Sequence, residues 1–191
     1  NNFPVFPTAR HSRRAYYLIP PFSLRIAVSL QNDFADRSNL QPWTVLAMTQ
    51  QIFDLSEKVA LITGGSRGLG FEMAKAFAAA GAKVVIASRK FEQCEQAAAE
   101  IADAGGTALP VACHVGQWTQ VGQLLDTVYE KFGQLDILVN NAGMSPRYDS
   151  VDEVTEALFD KVIDVNLKGP FRLCALAGKK MAAAGGGSII N

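Results

Sequence analysis

The sequence predicts an α/β protein with a doubly wound parallel sheet, and three observations support this. From residue 58 onward, short β-rich apolar runs alternate strictly with segments of helical composition. The strand segments are continuous apolar runs, as expected of strands that are buried on both faces. A glycine-rich turn follows the first strand directly and opens the first helix. Strict alternation favours a parallel sheet with right-handed crossovers, and ligands of such sheets bind beyond the carboxyl ends of the strands.

Apolar runs and terminal glycines mark the first two strand–helix units. Residues 58–63 (KVALIT) predict the first strand, and residues 68–80 predict a helix that stops at Gly81, a residue type that often follows a helix. Residues 83–88 (KVVIAS) predict the second strand. The second helix is predicted over residues 91–104, with a buried face formed by Cys94, Ala97, Ala98 and Ile101.

The remaining elements follow the same pattern. Residues 107–112 predict the third strand, and residues 136–140 (DILVN) predict the fourth. The helix between them ends at Gly133, and its apolar residues recur at helical spacing: Val121, Leu124, Leu125, Val128 and Phe132. A long helix is predicted over about residues 152–183, with a buried face of Leu158, Phe159, Val162, Ile163 and Leu167. Residues 188–190 begin a fifth strand, so we expect a sheet that is truncated there.

Composition and charge exclude several classes of function. The formal net charge is zero, and the basic residues form no pattern interleaved with aromatic residues, so we expect no nucleic-acid partner. No apolar run approaches the length of a membrane span, so we expect no membrane partner. The three cysteines have no CxxC or CxH spacing, which argues against a metal site and a disulfide framework. Cysteines of this kind favour a reducing compartment, and we expect a cytoplasmic protein.

The glycine-rich turn, TGGSRGLG at residues 63–70, predicts a dinucleotide-binding loop. A pyrophosphate needs close approach of the backbone and free amide groups at a helix N-terminus. Gly64 suits the tight turn, Gly68 allows the ligand to come close, and Gly70 allows the helix to pack on the strand. Ser66 and Arg67 can add contacts to phosphate. A purely structural glycine turn is the alternative; a triphosphate-binding loop is disfavoured, because no Lys follows the last glycine.

The tripeptide Ser88-Arg89-Lys90 after the second strand indicates which cofactor is bound. NAD sites place a carboxylate near the ribose 2′-hydroxyl, whereas an arginine accommodates the 2′-phosphate of NADP. Arg89, helped by Arg67 or Lys90, can form charge-assisted hydrogen bonds with that phosphate. The sequence therefore predicts NADP(H), with NAD(H) as the alternative cofactor. A solvated basic loop without this role is the other interpretation.

The amino-terminal part of the chain differs from this pattern. Residues 1–47 lack strand or helix periodicity, and Met48 precedes the patterned part. We interpret residues 1–47 as a non-native or disordered upstream segment and residues 48–191 as an incomplete dinucleotide-binding domain. A transit peptide is the rival interpretation, because residues 1–32 contain Arg and Ser but no acidic residue.

Four motifs together resemble the short-chain dehydrogenase/reductase superfamily, whose fold is Rossmann-like. They are TGGSRGLG after the first strand, LDILVNNAG at residues 135–143, DVNLKGPF at residues 164–171 and GGSIIN at residues 186–191. The resemblance runs from about Leu55 to Asn191, and the order and spacing of the motifs make it far more specific than any one of them.

The resemblance implies a role for each matching residue. Residues of the glycine loop would line the phosphates: Gly64, Gly65, Ser66, Arg67, Gly68, Leu69 and Gly70. Around the adenosine and the nicotinamide ribose it places Ser88, Arg89, His114, Val115, Asn141, Ala142 and Gly143. Asn166 matches an asparagine that holds a water in the family's proton relay, and Asp136 matches a residue that supports the sheet. His114 departs from the family pattern, which has an Asp that accepts from the adenine amino group.

The implied activity is transfer of hydride between the nicotinamide and a carbonyl or secondary alcohol substrate. The resemblance also implies that the full-length protein is a homodimer or homotetramer. The family's catalytic Ser, Tyr and Lys follow the fifth strand, and no tyrosine of this chain has a lysine four residues later. We therefore expect the 191-residue chain to be inactive. The alternatives are an NAD-linked polyol or sugar dehydrogenase, a reductase of acyl-carrier-protein thioesters, and a non-catalytic dinucleotide-binding protein.

Overall fold

A computed structural model describes residues 53–191, so the expected boundary near Met48 and the interpretation of residues 1–47 lie outside the described residues. Five strands form the sheet: β1 (Val59–Thr63), β2 (Lys83–Ser88), β3 (Thr107–Ala112), β4 (Ile137–Val139) and β5 (Ser188–Ile190). All pairings are parallel, and the order is β3-β2-β1-β4-β5. This order confirms the predicted Rossmann-like sheet and places the switch point between β1 and β4.

Helices cover both faces of the sheet. They are α1 (Gly68–Ala79), α2 (Phe91–Asp103), α3 (Trp118–Phe132), α4 (Glu156–Ile163) and α5 (Gly169–Ala183). The first three confirm the predicted helices, and Gly133 ends α3 with a left-handed φ of 73°. Within residues 53–191, no helix is both long and apolar enough to cross a membrane.

The core consists of two apolar layers, one on each face of the sheet. Val59 and Leu61 of β1 pack with residues of α3 and α5, whereas Ala60 and Ile62 pack with residues of α1 and α2. The strand alternates its side chains between the two layers, so every residue of β1 is buried. The prediction of strands buried on both faces holds for the centre of the sheet and is wrong at its edges. There β3 and β5 are partly exposed, and β3 contains Pro110, a residue that sheets tolerate at an edge.

The predicted long helix over residues 152–183 is wrong in its start and in its continuity. Helix α4 begins four residues later, where the Thr155 hydroxyl accepts from the Leu158 N–H at 3.2 Å, and a 3-10 turn (Val151–Glu153) precedes it. A π-helical turn (Asp164–Lys168) separates α4 from α5. A π-turn adds a residue to the helix and shifts the register of the residues after it.

The predicted buried face of this helix is wrong at Phe159 and Leu167, whereas Leu158, Val162 and Ile163 are half-buried. The register shift accounts for Leu167 and Phe171 but not for Phe159, which precedes the π-turn. Phe159, Leu167 and Phe171 are 58%, 61% and 64% exposed, although their spacing predicts an inward orientation. Helix α4 contains no buried residue at all. From the π-turn onward the buried residues instead recur at every fourth position: Val165, Gly169, Leu173, Ala177 and Met181.

Asp136 joins β1 to β4 at the amino end of the sheet. Its carboxylate accepts from the Val59 N–H at 2.9 Å, from the Lys58 ammonium at 3.2 Å and from the Gln134 amide at 2.9 Å. Burial raises the pKa of the Asp136 carboxyl, but these hydrogen bonds and the Lys58 charge outweigh burial and hold the pKa below its ordinary value of 3.8. The side chain therefore supports the sheet, as the resemblance implies.

Asp136→Asn is expected to lower the free energy of unfolding by about 1–3 kcal/mol at neutral pH. Because the carboxyl pKa is lower in the folded chain, its contribution is present above about pH 4 and is lost as the pH falls through the folded pKa. The variant should lack that part of the acid sensitivity. Urea unfolding across the acid range checks this, with the exposed Asp103→Asn as a control. Equal acid sensitivity of the wild type and Asp136→Asn would contradict the assignment.

Candidate cofactor site

A cavity of about 450 Å³ opens at the carboxyl ends of β1, β2, β3 and β4, beside the switch point. It falls in the size range of small-molecule sites, roughly 300–1,000 Å³. Its lining combines the ends of four strands with Lys161 of α4 and Val165 of the π-turn. The lining residues are Gly64, Ser66, Arg67, Ala87, Ser88, Arg89, Lys90, Gln93, Cys113, His114, Val115, Asn141, Ala142, Gly143, Met144, Lys161 and Val165.

The glycine loop turns sharply after β1 and opens α1. Gly64 has a φ of +65°, a left-handed conformation that favours glycine, and its N–H donates to the Ala87 carbonyl at 2.8 Å. No side chain caps the N-terminus of α1, and its first turn holds no acidic residue. The amide groups of that turn therefore remain available to an anion. A Cβ built at Gly68 meets nothing within 4 Å, so the backbone is open to close approach there.

Two side chains tie the glycine loop to the loop after β4. The buried Thr63 hydroxyl donates to the Val139 carbonyl at 3.2 Å and accepts from the Ala142 N–H at 3.1 Å. The Asn141 amide donates to the Thr63 and Gly64 carbonyls at 3.0 and 3.2 Å. These bonds cross the switch point, so they fix the relative position of two walls of the cavity.

Thr63→Val is expected to lower the free energy of unfolding by about 1–3 kcal/mol, because it keeps the side-chain shape but leaves the Ala142 N–H without its partner. Chemical denaturation checks this. The matched control is Thr127→Val in α3, where the hydroxyl only donates to the Gln123 carbonyl one turn earlier. The control should change stability by less than about 0.5 kcal/mol. Equal effects of the two substitutions would contradict a role for Thr63 at the switch point.

The end of β2 carries hydroxyl groups and positive charges. The Ser66 and Ser88 hydroxyls lie 3.0 Å apart, and the Cys94 thiol donates to the Ser88 hydroxyl at 3.2 Å. Arg89 and Lys90 follow directly and are exposed at the cavity. The hydrogen-bonded serines hold the glycine loop against β2, next to the two cations that line the cavity.

The end of β3 forms another wall of the cavity. The backbone N–H of His114 donates to the Gln120 side chain at 2.8 Å, and its ring Nδ1 accepts from the Gly116 N–H at 3.1 Å. Burial raises the pKa of the neighbouring Cys113 thiol to about 11. The thiol therefore stays protonated at neutral pH and offers no nucleophile to a bound ligand. Val115 and Val165 make the adjoining surface apolar.

Asn166 lies on the π-turn and contacts the loop after β4. Its amide accepts from the Met144 N–H at 2.9 Å and donates to the Met144 carbonyl at 2.8 Å. Both polar groups of the side chain are therefore hydrogen-bonded to the loop backbone. It lines a second groove, together with Asn140, Ser145, Leu167, Pro170, Phe171, Cys174 and Asn191, that adjoins the cavity at residues 141–144.

The structure brings ten of the predicted cofactor residues to the cavity. They are Gly64, Ser66, Arg67, Ser88, Arg89, His114, Val115, Asn141, Ala142 and Gly143. Gly65, Gly68, Leu69 and Gly70 lie outside the lining, and the Leu69 side chain is 73% exposed. Sequence reasoning missed Ala87, Gln93, Cys113, Met144, Lys161 and Val165, of which the last two lie one helical turn apart.

Charge makes the cavity suited to a phosphorylated ligand. Its lining contains Arg67, Arg89, Lys90 and Lys161 and no aspartate or glutamate. The ion pairs among the described residues involve none of these four cations. The open α1 N-terminus and the tight turn at Gly64 add backbone amides, so the residues present fit a dinucleotide. Among residues 53–191, no cluster of three or more metal-ligating side chains occurs.

Comparison with known proteins agrees with this geometry. The family model described as short chain dehydrogenase matches residues 58–191. Dehydrogenase/reductase SDR family member 4 of Homo sapiens is 38% identical over 136 residues, which are 71% of this chain and 49% of the relative. Galactitol 2-dehydrogenase of Agrobacterium fabrum is 43% identical over 141 residues, which are 72% of this chain and 52% of the relative.

A solved structure gives the same result. A metagenomic short-chain oxidoreductase, crystallised in complex with NADP, is 36% identical with a TM-score of 0.70, and the match covers 72% of this chain and 62% of that one. The chain spans about half the length of the two relatives named above. Because the family model matches most of the chain and the sheet order and glycine loop agree with it, the chain belongs to the short-chain dehydrogenase family.

Proposed function

We propose that the cavity binds NADP(H), and that the whole protein is an oxidoreductase that transfers hydride between this cofactor and a carbonyl or secondary alcohol substrate. The observation that carries the proposal is the set of four cations and no carboxylate around a cavity at the switch point. The cofactor, when bound, supplies the hydride or receives it.

The residues of this chain would bind and orient that cofactor. The amides at the start of α1 and the Arg67 side chain would neutralise the pyrophosphate. Arg89 and Lys90, at the end of β2, would pair with the ribose 2′-phosphate, while Ser88 offers a hydroxyl to the same ribose. Ala142 and Gly143 would let the second ribose pass close to the loop after β4, and Asn166 would hold that loop through Met144.

Two alternative functions are compatible with the same cavity. An NAD-linked polyol or sugar dehydrogenase is favoured by the similarity to galactitol 2-dehydrogenase, but no carboxylate lines the cavity to bind a free 2′-hydroxyl. A non-catalytic dinucleotide-binding protein would keep the same cavity, and a test of turnover by the whole protein distinguishes such a protein from an oxidoreductase.

We also propose that Asn166 takes part in a proton relay in the whole protein.

Titration of the purified chain with NADPH and NADH, followed by the fluorescence of the reduced nicotinamide, tests the proposed function. We expect NADPH to bind at least about tenfold more tightly than NADH, because only NADPH carries the phosphate that the cations can pair with. Equal affinities would support the NAD-linked alternative. Absence of saturable binding of either cofactor would overturn the proposal.

The 191-residue chain is expected to bind NADPH without turning it over. Its four tyrosines, Tyr16, Tyr17, Tyr129 and Tyr148, are each followed four residues later by a residue other than lysine. The chain therefore lacks the paired acid and ammonium group that the proposed reaction needs for proton transfer. Loss of NADPH absorbance in the presence of a panel of ketones checks this. Consumption above a control without protein would contradict it.

A further inference from the structure

We propose that the wall at the end of β3 is the base end of the cavity and that His114 presents a hydrogen-bond donor there, so that the hypoxanthine analogue of NADPH binds at least as tightly as NADPH itself. This inference rests on the proposed function, because it concerns the purine of the same dinucleotide. It makes His114 a specificity-determining residue for the base.

The surroundings of the imidazole ring determine which nitrogen carries the proton. The Gly116 N–H donates to Nδ1 at 3.1 Å, so Nδ1 acts as an acceptor and holds no proton. In the neutral ring the proton then lies on Nε2. A Cβ placed at Gly116 would meet His114 Cε1 at 3.1 Å and Nδ1 at 3.2 Å, which shows that this edge of the ring lies against the backbone.

The opposite edge of the ring is the part that can reach a ligand. His114 is half-buried and lines the cavity. Its hydrogen bonds with the described residues are made by Nδ1, by the backbone N–H and by the backbone carbonyl. Nε2 therefore remains to contact a bound base, and it does so as a donor.

The second polar side chain near this wall is also a donor. Lys161 lines the cavity one helical turn before Val165, and Val165 packs in the same apolar cluster as Cys113 and Val115. A Cβ placed at Gly116 would meet the Asp164 Cβ at 3.3 Å, so this turn lies against the loop that carries His114. An ammonium group has three donors and no acceptor, and no carboxylate lines the cavity to offset it.

Adenine and hypoxanthine differ in the polarity of the group at position 6. Adenine carries an amino group that donates hydrogen bonds, whereas hypoxanthine carries an oxygen that accepts them, as guanine does at the same position. A donor that faces position 6 leaves the adenine amino group without a partner but pairs with the oxo group. The two bases have nearly the same shape but differ also at position 1, where adenine has an acceptor nitrogen and hypoxanthine an N–H donor. The proposal therefore places the His114 donor at position 6, because a donor at position 1 would give the opposite preference.

The test is the ratio of two dissociation constants, that of reduced nicotinamide hypoxanthine dinucleotide phosphate over that of NADPH. We expect a ratio of one or less for the wild-type chain, measured by fluorescence titration. A ratio clearly above one overturns the proposal even when NADPH binds well. If neither nucleotide binds, both this inference and the proposed function fall. If NADPH binds but the ratio is above one, only this inference falls, so the two failures are distinguishable.

His114→Asp provides the matched change, because an ionised carboxylate only accepts hydrogen bonds. The ratio should rise by about tenfold or more in this variant, and an unchanged ratio would overturn the proposal. Taking a ratio cancels any effect of the added charge on phosphate binding. Lys179→Ala, at an exposed position outside the cavity, should leave the ratio unchanged and serves as the control.

A second measurement does not depend on any variant. Long-range ¹H–¹⁵N spectra of the free chain distinguish the two tautomers of each histidine ring. We expect the protonated nitrogen of His114 to be Nε2. Protonation at Nδ1 would place an acceptor in the cavity and would overturn the inference.

Discussion

Gly70→Ala is expected to weaken NADPH binding by about 100-fold or more and to lower the melting temperature of the chain. A Cβ at this position would overlap the Asn141 side-chain amide and the Gly64 carbonyl oxygen. The Gly64 carbonyl belongs to the backbone of the glycine loop, and the Asn141 amide ties this loop to the loop after β4. The added methyl group must therefore separate α1 from the switch point. NADPH fluorescence titration and thermal unfolding measure the two effects.

The matched control for Gly70→Ala is Gly122→Ala in α3. A Cβ at Gly122 meets nothing within 4 Å, and the residue lies inside a helix. This substitution should leave NADPH affinity unchanged and raise the free energy of unfolding by about 0.5–1 kcal/mol. If Gly70→Ala bound NADPH as the wild type does, the packing of α1 against Asn141 would not be needed for the site.

Arg89→Ala is expected to weaken binding of NADPH by about 10- to 100-fold while changing NADH affinity by less than about threefold. Arg89 follows Ser88 at the end of β2 and makes no ion pair among the described residues, so its charge is available to a phosphate. Only NADPH carries the 2′-phosphate, and the loss should therefore be selective. The measurement is a pair of fluorescence titrations for each variant.

Two results would contradict this role of Arg89. Equal losses for NADPH and NADH would show that the residue acts on a part that both cofactors share, such as the pyrophosphate. Retention of full NADPH affinity would show that Arg89 lies in a solvated loop. Lys179→Ala removes a positive charge on α5, at an exposed position, and should leave both affinities unchanged.

The sequence predicts the part of the site that strand order and local motifs determine. Gly64, Ser88 and Asn141 lie at or just beyond the carboxyl ends of β1, β2 and β4, and parallel strands bring these ends to one edge. Because the apolar runs locate the strands within a few residues, the positions of these side chains follow from the pattern. The predicted face of α2 is correct for the same reason: Cys94, Ala97, Ala98 and Ile101 are all buried.

The parts that the sequence did not predict depend on contacts between distant segments. Lys161 and Val165 reach the cavity because α4 and the π-turn lie beside the loop at Gly116, and no local pattern links these segments. Leu167 and Phe171 follow helical spacing, yet the π-turn turns both toward the outside. The tautomer of His114 likewise depends on one backbone N–H two residues away, which a sequence pattern does not reveal.

Amide chemical-shift changes in the ¹⁵N-labelled chain test the location of the NADPH site most directly. We predict saturable changes that concentrate at residues 64–70, 88–90, 113–115 and 141–144, with smaller changes for NADH at residues 88–90. Changes that lie away from these four segments, or no changes at saturating NADPH, would contradict the assignment of the cavity as the cofactor site.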